Sequence, residues 1–156
     1  MSKFVNKYLD ANKKTKILDI GSRRVNGKYT YKNLFTKSNW LYHGLDLEKG
    51  DNVDIIAQTP YRWTLPSSSY DVVISGQCLE HVQDIFSWIK EIHRIVKSKG
   101  VCCIIAPWQW PEHKAPVDCW RIMPDGMKYL LNKVAGFIIT TVDISQNDVI
   151  GIGRKL

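Results

Sequence analysis

No stretch of the sequence approaches the roughly 20 consecutive apolar residues that cross a bilayer, and no membrane association is expected. The opening Met1-Ser2-Lys3-Phe4-Val5-Asn6-Lys7 lacks the apolar core of a signal peptide, so the expected location is cytoplasmic. The four cysteines, Cys78, Cys102, Cys103 and Cys119, show no CxxC spacing. An adjacent pair within an apolar run suits neither a disulfide framework nor a tetrahedral metal cage, so buried free thiols and no metal centre are expected. Internal repeats, low-complexity tracts and linkers are also missing. With 156 residues, 44% of them hydrophobic and 24% charged, the chain fits one self-sufficient domain over residues 1–156, and neither a disordered nor a collagen-like protein.

A net charge of +7 invites a nucleic-acid reading. The lysines and arginines are scattered, however, and their densest groups, such as Lys13-Lys14 with Lys16, are short and flank apolar runs. A solvated surface explains them more simply than a polyanion-binding face.

Apolar runs and amphipathic segments alternate along the chain. Phe4, Val5, Tyr8 and Leu9 share one face of a short opening helix. Extended runs follow at Ile17–Ile20, Trp40–Leu45, Val53–Ala57 and Asp71–Ser75. Between Asp84 and Val96, Ile85, Ile89, Ile92 and Val96 form one helical stripe, with Gly100 placed just beyond it. Val101–Ala106 is apolar throughout, as a strand covered on both faces would be. Pro124 opens another helix with Met127, Leu130, Leu131 and Val134 on one face and Gly136 as its stop. Two last apolar runs, Phe137–Val142 and Val149–Gly153, read as a hairpin.

Five strands with crossovers and a final antiparallel pair describe a doubly wound α/β fold, a mostly parallel, seven-stranded, Rossmann-like sheet. Its ligand site belongs at the carboxyl ends of the strands, where the strand order reverses. Gly21, after the first strand, lets the backbone turn tightly and approach a ligand. Asp46 ends the second strand, where a carboxylate can accept hydrogen bonds from two ribose hydroxyls or, equally well, cap a turn. Arg23 stands where a GxGxxG loop has its second glycine, which disfavours a diphosphate packed on the loop.

Taken in order, Ile17-Leu18-Asp19-Ile20-Gly21-Ser22, Tyr42-His43-Gly44-Leu45-Asp46, Leu65 through Ser75, Leu79-Glu80-His81-Val82 and Glu91 through Gly100 resemble the class I S-adenosylmethionine-dependent methyltransferases, in particular methyltransferase type 11. The resemblance implies S-adenosylmethionine as cofactor. It places the methionine portion on Asp19, Gly21 and Ser22, the ribose on Asp46, adenine against Leu47, and the adenine amino group on Gln58, where the family often has an acid. Ser75 and Gln77 would close over the cofactor. Arg23 and Gln58 depart from the family pattern and point to weaker cofactor binding.

Methyl transfer from a sulfonium is an in-line displacement that needs alignment and, for a protonated acceptor, a base. The loop after the fifth strand carries Trp108, Trp110, His113, Asp118, Trp120 and Arg121, which suit a pocket wall that stacks on a ring and orients it. The plainer alternative is an anchored lid in which Asp118 pairs with Arg121. His113 and His81 are the base candidates, since an imidazole titrates near neutral pH. The expected acceptor is an O or N atom of a small molecule or saccharide, recognised by the 108–121 loop, by residues 23–35 or with a partner protein. RNA or protein as acceptor, or an inactive cofactor-binding partner subunit, are the alternatives.

Overall fold

The computed structural model of the protein describes residues 1–25 and 30–156. Seven strands form one sheet: β1 (Thr15–Ile20), β2 (Trp40–Asp46), β3 (Ile55–Ile56), β4 (Tyr70–Gly76), β5 (Val96–Pro107), β6 (Ile138–Ser145) and β7 (Asp148–Arg154). Their order is β3-β2-β1-β4-β5-β7-β6. The first five pair in parallel, and β7 inserts antiparallel between β5 and β6, as the sequence pattern leads one to expect.

Alternation along the strands divides the core in two. Leu18, Ile20, Val73, Cys102 and Ile104 face one side, against α2 (Ile85–Ile95), α3 (Pro124–Lys128) and the turn after it. Ile17, Val72, Ile74, Val101 and Cys103 face the other, against Phe4 and Val5 of α1 (Ser2–Tyr8) and against Phe35. The second cover is thin. Among the described residues, the only helical element between β1 and β2 is a 3-10 turn, Tyr31–Leu34, and no helix separates β2 from β3. Among the described residues, no helix is long and apolar enough to cross a membrane.

The helix over residues 84–96 forms because Ile85, Trp88, Ile89, Ile92 and Ile95 bury one stripe, while the Asp84 carboxylate accepts the Ser87 N–H at 3.0 Å as its cap. Its end differs from expectation: Val96 pairs with Tyr70 and starts β5 at once, so Gly100 lies inside that strand, beside a register shift. The helix beginning at Pro124 changes at Tyr129 into a π-helical turn, Tyr129–Val134, where the Ala135 N–H reaches back to the Leu130 carbonyl at 3.1 Å. β3 is also shorter than the Val53–Ala57 run, because Asp54 is drawn off to the Gly44 N–H at 2.8 Å. Cys102 and Cys103 are buried, but Cys119 is exposed on a surface loop, which corrects the expectation that all four thiols are buried.

Candidate active site

The strand order reverses between β1 and β4, whose carboxyl ends lie side by side with that of β2: Ile20 is level with both Leu45 and Ser75. After Ile20 the chain turns at Gly21 with φ +73°, a left-handed conformation that a side chain strains to adopt. The Gly21 and Ser22 N–H groups both donate to the Leu45 carbonyl, at 2.9 and 3.1 Å. A Cβ on Gly21 would meet Cys78 at 2.7 Å, so the bend is packed against the chain leaving β4. Burial pushes the Cys78 thiol up to about 12, so it sits there neutral.

Asp19 lies just before this bend and is buried. The Tyr42 hydroxyl donates to it and in turn accepts from Asn52 Nδ2 at 3.1 Å. Burial raises the Asp19 carboxyl to about 7 in spite of the Tyr42 hydrogen bond, and the charge of Asp46 adds to the rise. The Asp46 carboxylate accepts the Arg23 N–H at 3.1 Å and the Glu48 N–H at 3.2 Å, which fixes its direction and leaves lone pairs free. Ser22 donates to the Asn52 carbonyl at 2.9 Å, and the buried Ser75 hydroxyl ties β4 to the Ile20 carbonyl at 2.9 Å.

The structure thus gathers Asp19, Gly21, Ser22, Asp46 and Ser75 at adjoining strand ends. Leu47 and Gln58 stand exposed beyond β2 and β3. Gln77 is turned outward at φ +54°, its amide donating to Asp148 at 2.9 Å. Arg23 lies 3.9 Å from Asp46 and 3.1 Å from Glu48. Part of the 23–35 segment, Asn26 through Tyr29, lies outside the described residues.

On the other side, the 108–121 loop is anchored on the turn Leu79–His81. The Glu80 carbonyl accepts the Cys119 N–H at 2.7 Å, and the Trp120 indole donates to the Val82 carbonyl at 2.8 Å. Arg121 grips Asp118 with two bonds of 2.6 and 2.7 Å and also donates to the Trp110 and Pro111 carbonyls. The Arg121 guanidinium, with the His113 N–H, holds the Asp118 carboxyl well below the usual carboxylate range. The Trp108 indole donates to the Gln146 carbonyl at 3.0 Å, and Trp110 is exposed. The loop residues form a braced frame instead of three tryptophans converging on one ring.

Inside this frame His81 and His113 meet edge to face, ring centroids 5.0 Å apart. Their Nε2 atoms lie 3.8 and 4.0 Å from one oxygen of Glu80, which is wholly buried. Burial raises the Glu80 carboxyl above its ordinary value.

Residues 32–104 match the family profile described as a methyltransferase domain. The matched span is just under half of the chain. The fold of the chain agrees with that of solved methyltransferases. A Burkholderia thailandensis 1,6-didemethyltoxoflavin-N1-methyltransferase, solved with that compound and S-adenosylhomocysteine, superposes with a TM-score of 0.77 at 14% identity, over 99% of this chain and 76% of its own. A Methanosarcina mazei S-adenosylmethionine-dependent methyltransferase gives 0.74 at 14% identity, over 98% and 97%. The Haloferax volcanii complex of the Trm112 methyltransferase activator with its methyltransferase gives 0.72 at 14% identity, over 98% and 88%. No curated protein matches the sequence. By fold the chain resembles the S-adenosylmethionine-dependent methyltransferases.

Two residues at this candidate site escape a reading of the sequence. The Tyr31 ring lies against Gly76 at the end of β4, where any Cβ would collide with it. Burial, and then the charge of Asp19, push its phenol above the ordinary value, so it remains a neutral donor beside the strand ends. No motif marks it. Glu80 was legible only as the neighbour of His81, yet it is the buried centre of the histidine pair. An open cleft of about 420 Å³ lies at the opposite, amino-terminal ends of the strands, among Lys14, Lys16, Trp40, Asp71 and Lys97. Its carboxylate is already engaged, Asp71 accepting from the Lys16 N–H at 2.9 Å and from Lys97 at 3.0 Å.

Proposed function

We propose that the chain is an S-adenosylmethionine-dependent methyltransferase that acts on an O or N atom of a small molecule or saccharide held by the 108–121 loop. The observation that carries the reading is the convergence of His81 and His113 on Glu80 at the turn that follows β4, within a loop braced by Asp118 and Arg121. In this proposal Asp19, Gly21 and Ser22 hold the methionine portion of S-adenosylmethionine, and Asp46 takes the ribose hydroxyls with its free lone pairs. Leu47 and Gln58 serve the adenine, while Ser75 supports the β1–β4 junction and Gln77 the rim. The fit rests on the glycine bend against Cys78 and on the directed Asp46 carboxylate.

When bound, the cofactor supplies an electrophilic methyl group on a sulfonium and departs as a neutral thioether. The chain's own residues orient the acceptor so that its lone pair forms the new bond to carbon, while the electrons of the breaking carbon–sulfur bond return to sulfur. The acceptor proton passes to the imidazole pair, whose Nδ1 atoms are already engaged and whose Nε2 atoms face inward. Trp108 and Trp120, fixed by the Gln146 and Val82 carbonyls, and the exposed Trp110 would offer the acceptor separate apolar surfaces and not one shared stacking wall.

Screening pooled metabolites and oligosaccharides for isotopic methyl incorporation tests the reading. With an acceptor in hand, His113→Ala should lower turnover more than cofactor affinity. The alternative is an RNA acceptor, to whose phosphates the net charge of +7 would add a general attraction. Acceptor binding that fell steeply with salt, in step with phosphate number, would support that alternative.

A further inference from the structure

We propose that Glu80, His81 and His113 form a binding site for one divalent transition-metal ion of the Zn²⁺ class. One ligating atom from each of the three lies within 4.8 Å of the others. Each atom presents a lone pair. The His81 Nδ1 atom sits 2.6 Å from the Val117 carbonyl oxygen, which can only accept, so Nδ1 carries the hydrogen and the neutral ring leaves Nε2 bare. His113 is arranged the same way, its Nδ1 3.2 Å from the Pro111 carbonyl and 3.5 Å from Asp118 Oδ2. Both Nε2 atoms point toward the carboxylate.

Glu80 side-chain oxygens are buried and have no hydrogen-bond partner among the described residues. A buried carboxylate left without a side-chain donor is costly, and the two imidazole nitrogens within 4.0 Å of it are bare acceptors in this tautomer. The separations of 3.8 and 4.0 Å are too long for direct hydrogen bonds, but they suit a third atom shared between the groups. Around a tetrahedral ion with bonds of about 2.0–2.1 Å, donors stand roughly 3.3 Å apart, so the two carboxylate–imidazole separations would close by about 0.5 and 0.7 Å and the imidazole pair, within 4.8 Å, by up to about 1.5 Å.

The outer contacts fit the same reading. Histidine ligands usually direct the second ring nitrogen at a carbonyl or a carboxylate, which sets the tautomer and orients the ring. Val117 does this for His81, and Pro111 with Asp118 does it for His113, while Arg121 holds Asp118 in place. Two imidazoles and one carboxylate, with no thiolate, suit Zn²⁺, Co²⁺ or Ni²⁺ over a hard cation of the Ca²⁺ type. Three protein ligands leave a further coordination position open. The ion would also pin the 108–121 loop to the turn after β4, since His113 belongs to one and Glu80 and His81 to the other. With it bound, both Nε2 lone pairs would be taken, so an acceptor at the open position would lose its proton to solvent and not to the imidazole pair. Ion binding is read without any acceptor, so it stands or falls separately from the proposed substrate class.

The test uses the full chain stripped with EDTA, titrated with Co²⁺ and followed by visible absorption, then displaced by Zn²⁺. One equivalent is expected to bind, without the charge-transfer band of a thiolate ligand, and Cys119→Ser should leave the titration unchanged. His113→Ala and Glu80→Gln should each weaken binding about 100-fold or more, and Asp118→Asn about 10-fold. Circular dichroism should show these variants folded. If Glu80→Gln fails to fold, His113→Ala and Asp118→Asn still decide, because His113 is on a surface loop and Asp118 leaves all three ligands in place. No binding at millimolar Co²⁺ or Zn²⁺, or binding that survives His113→Ala and Asp118→Asn undiminished, overturns the proposal.

Discussion

Replacing Asp19 by Asn should remove a pH dependence from cofactor binding that the wild type displays. Asp19 is buried, the Tyr42 hydroxyl donates to it, and burial lifts its carboxyl from 3.8 to about 7. If its ionised form is what the cofactor's ammonium group selects, apparent affinity follows the ionised fraction. That fraction is about one tenth at pH 6 and one half at pH 7, so affinity should rise about fivefold over that unit. Calorimetry in two buffers of different ionisation enthalpy reads both the affinity and the proton released on binding. The same group leaves its mark on stability without ligand. Its pKa is higher folded than unfolded, so its contribution is fully present below about pH 4 and is lost as pH rises through about 7, by about 4 kcal/mol in all. Denaturant titrations of the wild type and Asp19→Asn should therefore diverge with increasing pH, the variant becoming relatively more stable. Parallel stability curves, together with a wild-type affinity that is flat between pH 6 and 7, would refute the placement of this carboxyl.

Gly21→Ala should destabilise the protein and weaken cofactor binding together, because φ is +73° there and the added Cβ would meet Cys78 at 2.7 Å; chemical denaturation and calorimetry check it. Glu91→Ala should cost about 3 kcal/mol in urea unfolding, since Glu91 is buried and accepts Arg94 at 2.6 and 2.7 Å and the Trp63 N–H at 2.7 Å, and its loss leaves Arg94 uncompensated. Losses within experimental error in either variant would contradict these packing assignments.

The sheet was legible because its signals are local and strong. The apolar run at 101–106, the helical stripe at 85–95 and the hairpin of β6 and β7 each need one kind of neighbour, and each found it. Boundaries that depend on pairing were less legible: Val96 leaves the helix because Tyr70 is there to receive it, and β3 shrinks because Asp54 turns toward Gly44. The site divides in the same way. Gly21 and Asp46 carry their meaning in residue type and in position after a strand. Tyr31 and Glu80 do not, because what distinguishes them is contact with residues far along the chain, with Gly76 for one and with His113 for the other. The tryptophans of the 108–121 loop look alike in sequence, yet Trp108 and Trp120 are tied to carbonyls while Trp110 is exposed.

Calorimetric titration of S-adenosylmethionine and S-adenosylhomocysteine into the wild type and Asp46→Ala is the most direct test of the strand-end site. Both ligands should bind the wild type, and the variant, stripped of its directed carboxylate, should bind them at least about tenfold more weakly. Failure of the wild type to bind either ligand at millimolar concentration, or equal affinity in the variant, would contradict it.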